Sequence, residues 1–276
     1  MLARARIVVE KDGERSVIRD LQSQPPLTLL PRRGAAAARS PAATVHMVGS
    51  ATTPLGGDDV GLEVVVGPGA DLVLTGVAAT VALPGQGARA SSRLVVRLRI
   101  GDGAGVQYLP EPTIVTRRAD HRTELHAELG AAARMRCREV LVAGRSGEAP
   151  GRFRGLTRVV DTAAGRPLLV QEQELGDPAL HASAAHLAER RVLATEVLVW
   201  GEDPHPGLAG PWWSLTPLAG RGSLATSVGP DAVTAQRGLA LAIAGHPGWA
   251  ATMAATLAPA APESSGDRDQ AAGRSW

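Results

Sequence analysis

Few segments of this sequence have the residue types and spacing that catalysis requires. The chain contains no Gly-x-x-x-x-Gly-Lys-Ser/Thr segment, which excludes a P-loop. Gly101-x-Gly103-x-Gly105 joins two predicted strands and precedes no helix, so it does not predict a dinucleotide-binding turn. The segment Gly144-Arg145-Ser146-Gly147 lacks the Gly-x-Ser-x-Gly spacing of a hydrolase nucleophile. The sequence therefore favours a protein that is not an enzyme.

Cys137 is the only cysteine. Three arginines lie within three positions of it, and such neighbours can lower the pKa of a thiol. Strand alternation, however, places Cys137 on one face with Met135 and Glu139. We interpret it as an inward-facing core residue. A single cysteine excludes an intrachain disulfide and a cysteine-based zinc motif, and it favours a reducing compartment.

The seven histidines are scattered along the chain. His121 and His126 are five positions apart, as are His181 and His186. That spacing puts a pair on opposite faces of a strand, or about 140° apart on a helix, so neither pair predicts a two-ligand site. His205, between Pro204 and Pro206, could contact a metal or a partner, or be an ordinary surface histidine. The pattern predicts no tightly bound metal.

Three carboxylates offer an alternative in which the protein is a hydrolase. Asp58, Glu139 and Glu148 would form its site, which requires two carboxylates within about 5–10 Å of each other in a pocket. Asp58 and Glu148 also fit the role of turn residues that accept hydrogen bonds from nearby backbone N–H groups. The glycines beside them are interpreted as residues that satisfy backbone geometry; they are Gly56, Gly57, Gly144 and Gly147.

A unit of strand, tight turn and strand recurs roughly every 30 residues in the middle of the chain. Its turns are Gly67-Pro68-Gly69-Ala70, Gly101-Asp102-Gly103-Ala104 and, less closely matched, Gly130-Ala131-Ala132-Ala133. Gly69 and Gly103 occupy the same turn position, so we predict the same turn conformation at both. A period of this length predicts a mainly β fold of stacked, β-helix-like layers. The alternative is three ordinary hairpins in a large β-sandwich.

Outside the repeat, Asp12-Gly13 predicts a hairpin turn between strands 3–10 and 15–21. Further strands are predicted at 158–161, 167–175 and 191–200, and the segment 34–43 is predicted to be a loop. About two short helices are expected, at 177–191 and 230–244, with Gly245 ending the second. We predict a single β-rich domain over residues 1–257 and a disordered tail over 258–276.

Composition narrows the possible partners. The chain has 276 residues, 44% of them hydrophobic and 3% aromatic, and a formal net charge of +2. Basic and acidic residues are interspersed, so nucleic-acid binding is not expected. The N-terminus lacks the apolar region of a signal peptide, and no run of about 18 apolar residues predicts a membrane span. A cytoplasmic location is expected.

Trp212 and Trp213 follow Gly210-Pro211 and could anchor an interface or cap the edge of the core.

Three motifs together carry a family resemblance. The first is Leu55-Gly56-Gly57-Asp58-Asp59, followed by an alternating strand and, later, Ala78-Ala79-Thr80. The second is Tyr108-Leu109-Pro110-Glu111-Pro112-Thr113-Ile114, and the third is Gly144-Arg145-Ser146-Gly147-Glu148. Their order and spacing resemble the urease accessory protein UreD (UreH) family over about residues 3 to 200. The family's Thr-Thr-Gln reads Thr75-Gly76-Val77 here, so no role of that glutamine is transferred.

The resemblance implies a scaffold of many strands and a few helices that binds UreF, UreG and apo-urease. In the family, UreG supplies GTP hydrolysis and nickel is thought to pass through an internal channel. The chain would then hold no cofactor tightly and would carry nickel only in transit. Candidate partner or channel residues are Asp58, Glu148, Arg145, Tyr108, Trp212 and Trp213. A β-solenoid binding protein unrelated to metal remains a second alternative.

Overall fold

The structure is a computed structural model that describes residues 1–85 and 91–257. The strands are β1 (Leu2–Asp12), β2 (Arg15–Gln22), β3 (Leu27–Pro31), β4 (Ala43–Gly49), β5 (Asp59–Val66), β6 (Asp71–Gly76), β7 (Thr80–Ala82), β8 (Ser92–Ile100), β9 (Gly105–Leu109), β10 (Thr113–Val115), β11 (Asp120–Leu129), β12 (Arg134–Ala143), β13 (Arg152–Asp161), β14 (Arg166–Leu175), β15 (Val192–Val199), β16 (Leu208–Gly210), β17 (Trp213–Pro217) and β18 (Ser223–Gly229). The helices are α1 (Ala35–Ala38), α2 (Pro178–Ala182), α3 (Ala232–Ala244) and α4 (Pro247–Leu257).

Two sheets face each other. Sheet A has the strand order β14-β13-β11-β8-β5-β1-β2. Sheet B has the order β16-β17-β18-β15-β12-β9-β6-β4-β3, with β10 beside β12 and β7 beside β10. Strands β1 and β2 form the predicted hairpin, and Gly13 in its turn has a φ of +57°.

The repeat is a set of stacked coils, each of which places one strand in sheet A and the next in sheet B. Strands β5, β8, β11 and β13 are parallel in sheet A, and β6, β9 and β12 are parallel in sheet B. Asp59 of β5 pairs with Arg93 of β8, and Ser92 of β8 pairs with His121 of β11, so successive coils lie in register. The prediction of stacked layers is confirmed. The hairpin alternative is wrong because each tight turn leads the chain into the opposite sheet.

The tight turns form a stack of their own at one edge of the coils. Gly69 donates its N–H to the carbonyl of Asp102 at 2.9 Å, and Gly103 donates to Ala131 at 2.8 Å. The φ angles at Gly69 and Gly103 are +67° and +65°, and Ala132 holds the same turn position at +53°. The equivalence predicted for the two glycines is therefore confirmed and extends to an alanine.

Apolar side chains of both sheets form the main core, and α3 packs on the outer face of sheet B over a second cluster. Because successive side chains of a strand point to opposite faces, every second residue of these strands enters the main core. Ile7, Val64 and Leu74 are fully buried there. On the outer face of sheet A, neighbouring strands are joined by exposed ion pairs such as Arg99–Glu63. Such pairs contribute little to stability, so burial between the sheets is what stabilises the coils.

The helix predictions were partly wrong. Helix α3 matches its prediction and ends at Gly245. The helix expected at 177–191 stops at Ala182, because Ser183 turns to an extended ψ of 128°, although the Asp177 side chain caps it as expected. Segment 34–43, expected to be a loop, contains α1, and α4 was not predicted. The predicted tail lies outside the described residues, and the single domain over 1–257 stays a prediction. Within the described part of the chain, no helix has the length and apolar character to cross a membrane.

Candidate functional site: a cavity between the two sheets

Sheet B is interrupted next to the middle of β12. Strand β9 pairs with Arg134–Cys137, whereas β10 pairs with Leu141–Ala143. The chain therefore leaves the sheet between β9 and β10, beside residues 138–140 of β12. Behind this interruption a cavity of about 370 Å³ lies between the sheets. Its volume is within the range of small-molecule sites. We call it the inner cavity.

Polar side chains line this cavity although it borders an apolar core. They come from strands of both sheets, since β11 of sheet A and β9, β12 and β15 of sheet B each direct side chains inward; they include Tyr108, His121, Thr123, Cys137, Glu139 and Thr195. Four further charged residues also line the cavity: Arg93, Glu111, Glu124 and Arg138. Oxygen, nitrogen and sulfur donors of this kind can each coordinate a divalent transition metal. Among the described residues, no group of three or more His, Cys, Asp or Glu is arranged to hold a metal ion.

Glu139 is the carboxylate of this cavity with the most perturbed ionisation. Burial raises its pKa from 4.5 to about 7, while one hydrogen bond from Thr123 Oγ1 to Oε1, at 3.0 Å, opposes the shift. A carboxylate with this pKa exchanges its proton near neutral pH. A cation that enters the cavity favours the ionised form and displaces that proton.

His121 lies on the opposite wall and stays neutral at physiological pH. Burial lowers its pKa to about 4. The Oγ atom of Ser92 lies 2.9 Å from Nδ1 of His121, so the second ring nitrogen is the one left for another contact. A buried neutral imidazole of this kind is a ligand type that nickel accepts.

Cys137 has the inward-facing position expected of it. It is buried, and burial raises the pKa of its thiol well above the ordinary value. A protonated thiol is a poor nucleophile. Burial likewise raises the pKa of the Tyr108 phenol. Both pKa shifts follow from burial, as expected for side chains that form the wall of a cavity.

Two of the three segments that carry the family resemblance contribute to the wall of this cavity. Tyr108, Pro110 and Glu111 of the second motif line it, as do Ala78, Ala79 and Thr80 that follow the first motif. Both segments lie at the interruption of sheet B, where the chain passes from β6 to β7 and from β9 to β10. In these two segments, the residues that resemble the family are therefore residues of the inner cavity's wall.

Asp58, a predicted channel candidate, is buried just before β5 and has local partners. Its carboxylate accepts hydrogen bonds from the backbone N–H of Leu55 at 2.8 Å and from Thr53 Oγ1 at 3.1 Å, and it pairs with the amino group of Met1 at 2.5 Å. Burial opposes the charged form, but these contacts outweigh it and lower the pKa of Asp58. This geometry supports the turn interpretation.

Glu148 closes the loop between β12 and β13. Its carboxylate accepts from the Arg145 backbone N–H at 3.1 Å and from Arg145 Nε at 2.9 Å, and the Arg145 guanidinium lowers the pKa of Glu148 to about 2. The third motif is thus a self-contained turn. Of the three carboxylates in the hydrolase alternative, Glu139 lines the inner cavity, whereas Asp58 and Glu148 are engaged in turns.

The loop also depends on a residue that the sequence did not single out. Nη2 of Arg191 lies within hydrogen-bond distance of four backbone carbonyls, which share its two N–H groups; they belong to Ala143, Gly144, Arg145 and Glu148. Arg191 lies just before β15, far from this loop in the chain. Local patterns carry no signal for such a contact, because a loop-capping arginine has no fixed sequence spacing.

The motif glycines satisfy backbone geometry. Gly57, Gly144 and Gly147 have φ angles of +94°, +74° and +71°, in the left-handed region that favours glycine. A Cβ on Gly144 would also lie 2.6 Å from the Glu148 carbonyl oxygen. Gly56 has a different role, since its N–H donates to the Leu83 carbonyl and ties the first motif to the end of β7.

The two tryptophans have different environments. Trp212 is half exposed, and the Arg190 guanidinium lies 3.4 Å from the centre of its ring. Trp213 is partly buried and packs against the cluster beneath α3. Trp213 therefore caps the core edge, and Trp212 is the one available for an interface. His205 is exposed in its loop, and its role as a metal or partner contact stays a prediction.

Sequence comparisons agree with the motifs. A family model described as UreD urease accessory protein matches residues 1–260. The chain is 56% identical over 245 residues to urease accessory protein UreD 1 of Saccharopolyspora erythraea, which covers 89% of this chain and 94% of the relative. It is 41% identical over 262 residues to urease accessory protein UreD of a Parafrankia species, which covers 86% of each protein. Since the match includes the C-terminal helices as well as the coils, the chain belongs to the UreD family of urease accessory proteins.

Proposed function

We propose that this chain is a non-catalytic scaffold in urease maturation, which binds UreF, UreG and apo-urease and assists nickel delivery through the inner cavity. The observation that carries the proposal is the position of the motif segments. Residues of two segments that resemble the family line a mainly apolar cavity that also carries polar side chains; they are Ala78, Ala79, Thr80, Tyr108, Pro110 and Glu111. The protein would act in the cytoplasm, where its partners are made.

Glu139 is the residue that we assign to cation attraction, in place of Asp58 and Glu148. Its carboxylate lines the cavity and has one hydrogen-bond donor, Thr123. Of the other carboxylates at the cavity, Glu124 already pairs with Arg93. A buried carboxylate with neutral ligands such as His121 nearby holds a divalent ion loosely. Loose binding suits passage, because an ion in transit must leave each position that it enters.

Apolar side chains near the C-terminal helices support a scaffold role. Six large hydrophobic side chains between residues 180 and 253 are exposed: Leu180, Leu208, Trp212, Val233, Leu241 and Met253. A half-exposed tryptophan is a typical interface anchor, and exposed apolar side chains can add contacts around it. We assign the helical side of sheet B to partner binding.

The test is urease activation in a reconstituted system of apo-urease, UreF, UreG and this chain. Glu139→Gln should bind UreF as the wild type does, yet activate urease poorly when nickel is limiting, because the cavity loses its buried carboxylate. Excess nickel should restore part of the activity. Asp58→Asn and Glu148→Gln should give nearly wild-type nickel curves, since both carboxylates serve turns.

A matched control is Glu128→Gln, which removes a charge from the same region on the outer face of sheet A, where Glu128 faces Arg99 at 3.7 Å. It should leave the nickel curve unchanged. A wild-type curve from Glu139→Gln would refute the cation role of the inner cavity. Turnover of GTP or urea by the purified chain alone, surviving repurification, would refute the non-catalytic assignment.

A further inference from the structure

A second cavity lies on the outer face of sheet B, beneath the helices. It has a volume of about 230 Å³. Strands β12 and β15 supply its charged floor, and helices α3 and α4 supply a roof that is apolar except for Gln236; the other residues are Arg136, Arg138, Glu196, Leu239, Ala240, Ile243, Ala244 and Trp249. We call it the outer pocket.

Two guanidinium groups and one carboxylate leave this pocket with one excess positive charge. Glu196 is fully buried and pairs with Arg136, whose guanidinium also lies 4.5 Å from the centre of the Trp249 ring. Glu196 forms its ion pair with Arg136, and the positive charge of Arg138 also stabilises the carboxylate without forming an ion pair with it. Of the two arginines, Arg138 is therefore the one whose charge is less neutralised.

Arg138 has few contacts for a guanidinium in this position. Its Nη2 donates to the Pro110 carbonyl at 3.3 Å, while its Nε is buried and lacks a hydrogen-bond partner within residues 1–85 and 91–257. Within those same residues Arg138 forms no ion pair at 4 Å or less. A guanidinium without an ion-pair partner is unfavourable in a partly buried position, so Arg138 is the residue of the pocket that an anion would stabilise.

The pocket's shape and charge define the anion. A volume below the range of drug-sized ligands is too small for a nucleotide. One excess charge matches a monoanion, and Glu196 would repel a phosphate dianion. The apolar roof of Leu239 and Ile243 favours a carboxylate with an aliphatic group attached. The rim is open, because Ala240 and Ala244 are exposed.

We propose that the outer pocket binds one carboxylate from an apolar segment of a partner protein, with Arg138 as its ion-pair partner. A protein segment fits better than a free metabolite, because the two helices of the roof also carry exposed apolar side chains, Leu241 and Met253. Such a segment would cover these side chains while its carboxylate reaches Arg138. This proposal rests on the pocket alone and does not require nickel passage.

Hexanoate is a suitable probe, because it joins one carboxylate to one aliphatic chain. In the full chain with ¹⁵N-labelled tryptophan, hexanoate should shift the indole N–H resonance of Trp249 saturably, whereas hexan-1-ol should not. Trp249→Phe assigns the resonance. Arg138→Gln should weaken binding by about tenfold or more, the scale of a lost charged contact. Arg99→Gln, on the outer face of sheet A, should leave it unchanged.

Ala240→Trp provides a second variant, since it adds a bulky side chain at an exposed rim position and should block the pocket without disturbing the core. Equal shifts with hexanoate and hexan-1-ol, or wild-type affinity in a folded Arg138→Gln protein, would overturn the site. Tighter binding of inorganic phosphate would overturn the carboxylate assignment. Acetylated, amidated Ala-Leu-Asp-Leu-Ala should bind better than its Asn analogue, and equal binding would overturn the protein segment as its source.

Discussion

Ala132 is an alanine in a turn position that glycine occupies in the two preceding coils, and replacing it should stabilise the protein. Its φ of +53° lies in the left-handed region. For a residue with a Cβ, this backbone conformation costs roughly 1–2 kcal/mol of folding free energy. Ala132→Gly removes this cost but adds about 0.5–1 kcal/mol of chain entropy lost on folding. We therefore expect a net stabilisation of about 0.5 kcal/mol.

The reverse changes isolate the backbone contribution. A Cβ placed on Gly69 or Gly103 meets no atom within 4 Å, so the φ angle alone sets the cost. Gly69→Ala and Gly103→Ala should each destabilise the protein by roughly 1–2 kcal/mol. For a chain of this size that corresponds to a fall in Tm of about 2–8 °C. Gly69→Val and Gly103→Val should cost more, because a β-branched side chain is still less compatible with this region.

The control is Ala131→Gly in the same turn. Ala131 is exposed like Ala132 and is not among the residues with positive φ. Its replacement should therefore destabilise the protein by about 0.5–1 kcal/mol. Equilibrium denaturation in urea measures all six variants. Equal effects of Ala131→Gly and Ala132→Gly, or neutral results for valine at both glycine positions, would refute equivalent turns in the stacked coils.

Three further predictions concern single side chains. Because burial raises the pKa of Glu139 from 4.5 to about 7, the folded protein keeps a proton that the unfolded chain releases, so stability should fall as pH rises from about 4.5 to 7. In the Glu139→Gln variant, the difference in unfolding free energy between low and high pH should shrink by about 1–2 kcal/mol, less than for a fully dry site because water can enter the cavity. Denaturation at pH 5 and pH 8 measures this difference, and an unchanged difference would exclude Glu139 as its source. Arg191→Ala should destabilise the loop between β12 and β13 by about 1.5–3 kcal/mol, since charged hydrogen bonds to backbone carbonyls are lost; faster hydrogen exchange in residues 143–148 should report it, and wild-type protection would contradict the contact. Asp231→Ala should lower the Tm, because the Asp231 carboxylate caps α3 through the Thr234 N–H at 2.8 Å. Asp231→Asn, which keeps a cap, should lower the Tm less, and equal losses in thermal denaturation would argue against capping.

The coils could be predicted from the sequence because their geometry imposes a period. In a stack of parallel strands, paired residues are separated by the length of one coil. The spacings between the three turns accordingly equal the register offsets from Asp71 to Gly105 and from Gly105 to Arg134. Gly101, the first glycine of the second turn, has a further role that the spacing does not show. A Cβ on Gly101 would lie 2.8 Å from the Pro68 nitrogen of the coil next to it. Close stacking of turns thus accounts for part of the motif.

The inner cavity was less predictable because it lies where the regular pairing of strands in sheet B is interrupted. Strand alternation correctly placed Glu139 inward with Cys137, but nothing local showed that β9 ends before Glu139 and leaves a cavity there. Asp58 and Glu148 attracted attention because they lie in glycine-rich motifs, and those motifs build turns. The helix expected at 177–191 failed for a related reason: its alanine-rich composition favours a helix, but Ala188 and Glu189 adopt positive φ angles in the folded chain.

Strand β12 connects the two proposed sites. Its alternate residues face opposite sides of sheet B, so Glu139 lines the inner cavity while Arg136 lines the outer pocket. Arg138 borders both, at the interruption of the sheet. Its positive charge opposes entry of a cation into the inner cavity. If a partner's carboxylate pairs with Arg138 in the outer pocket, that opposition weakens, and Glu139 then attracts the cation more effectively. Partner binding and nickel passage would be coupled through one guanidinium, so Arg138→Gln should make urease activation at limiting nickel less dependent on the partner that occupies the outer pocket.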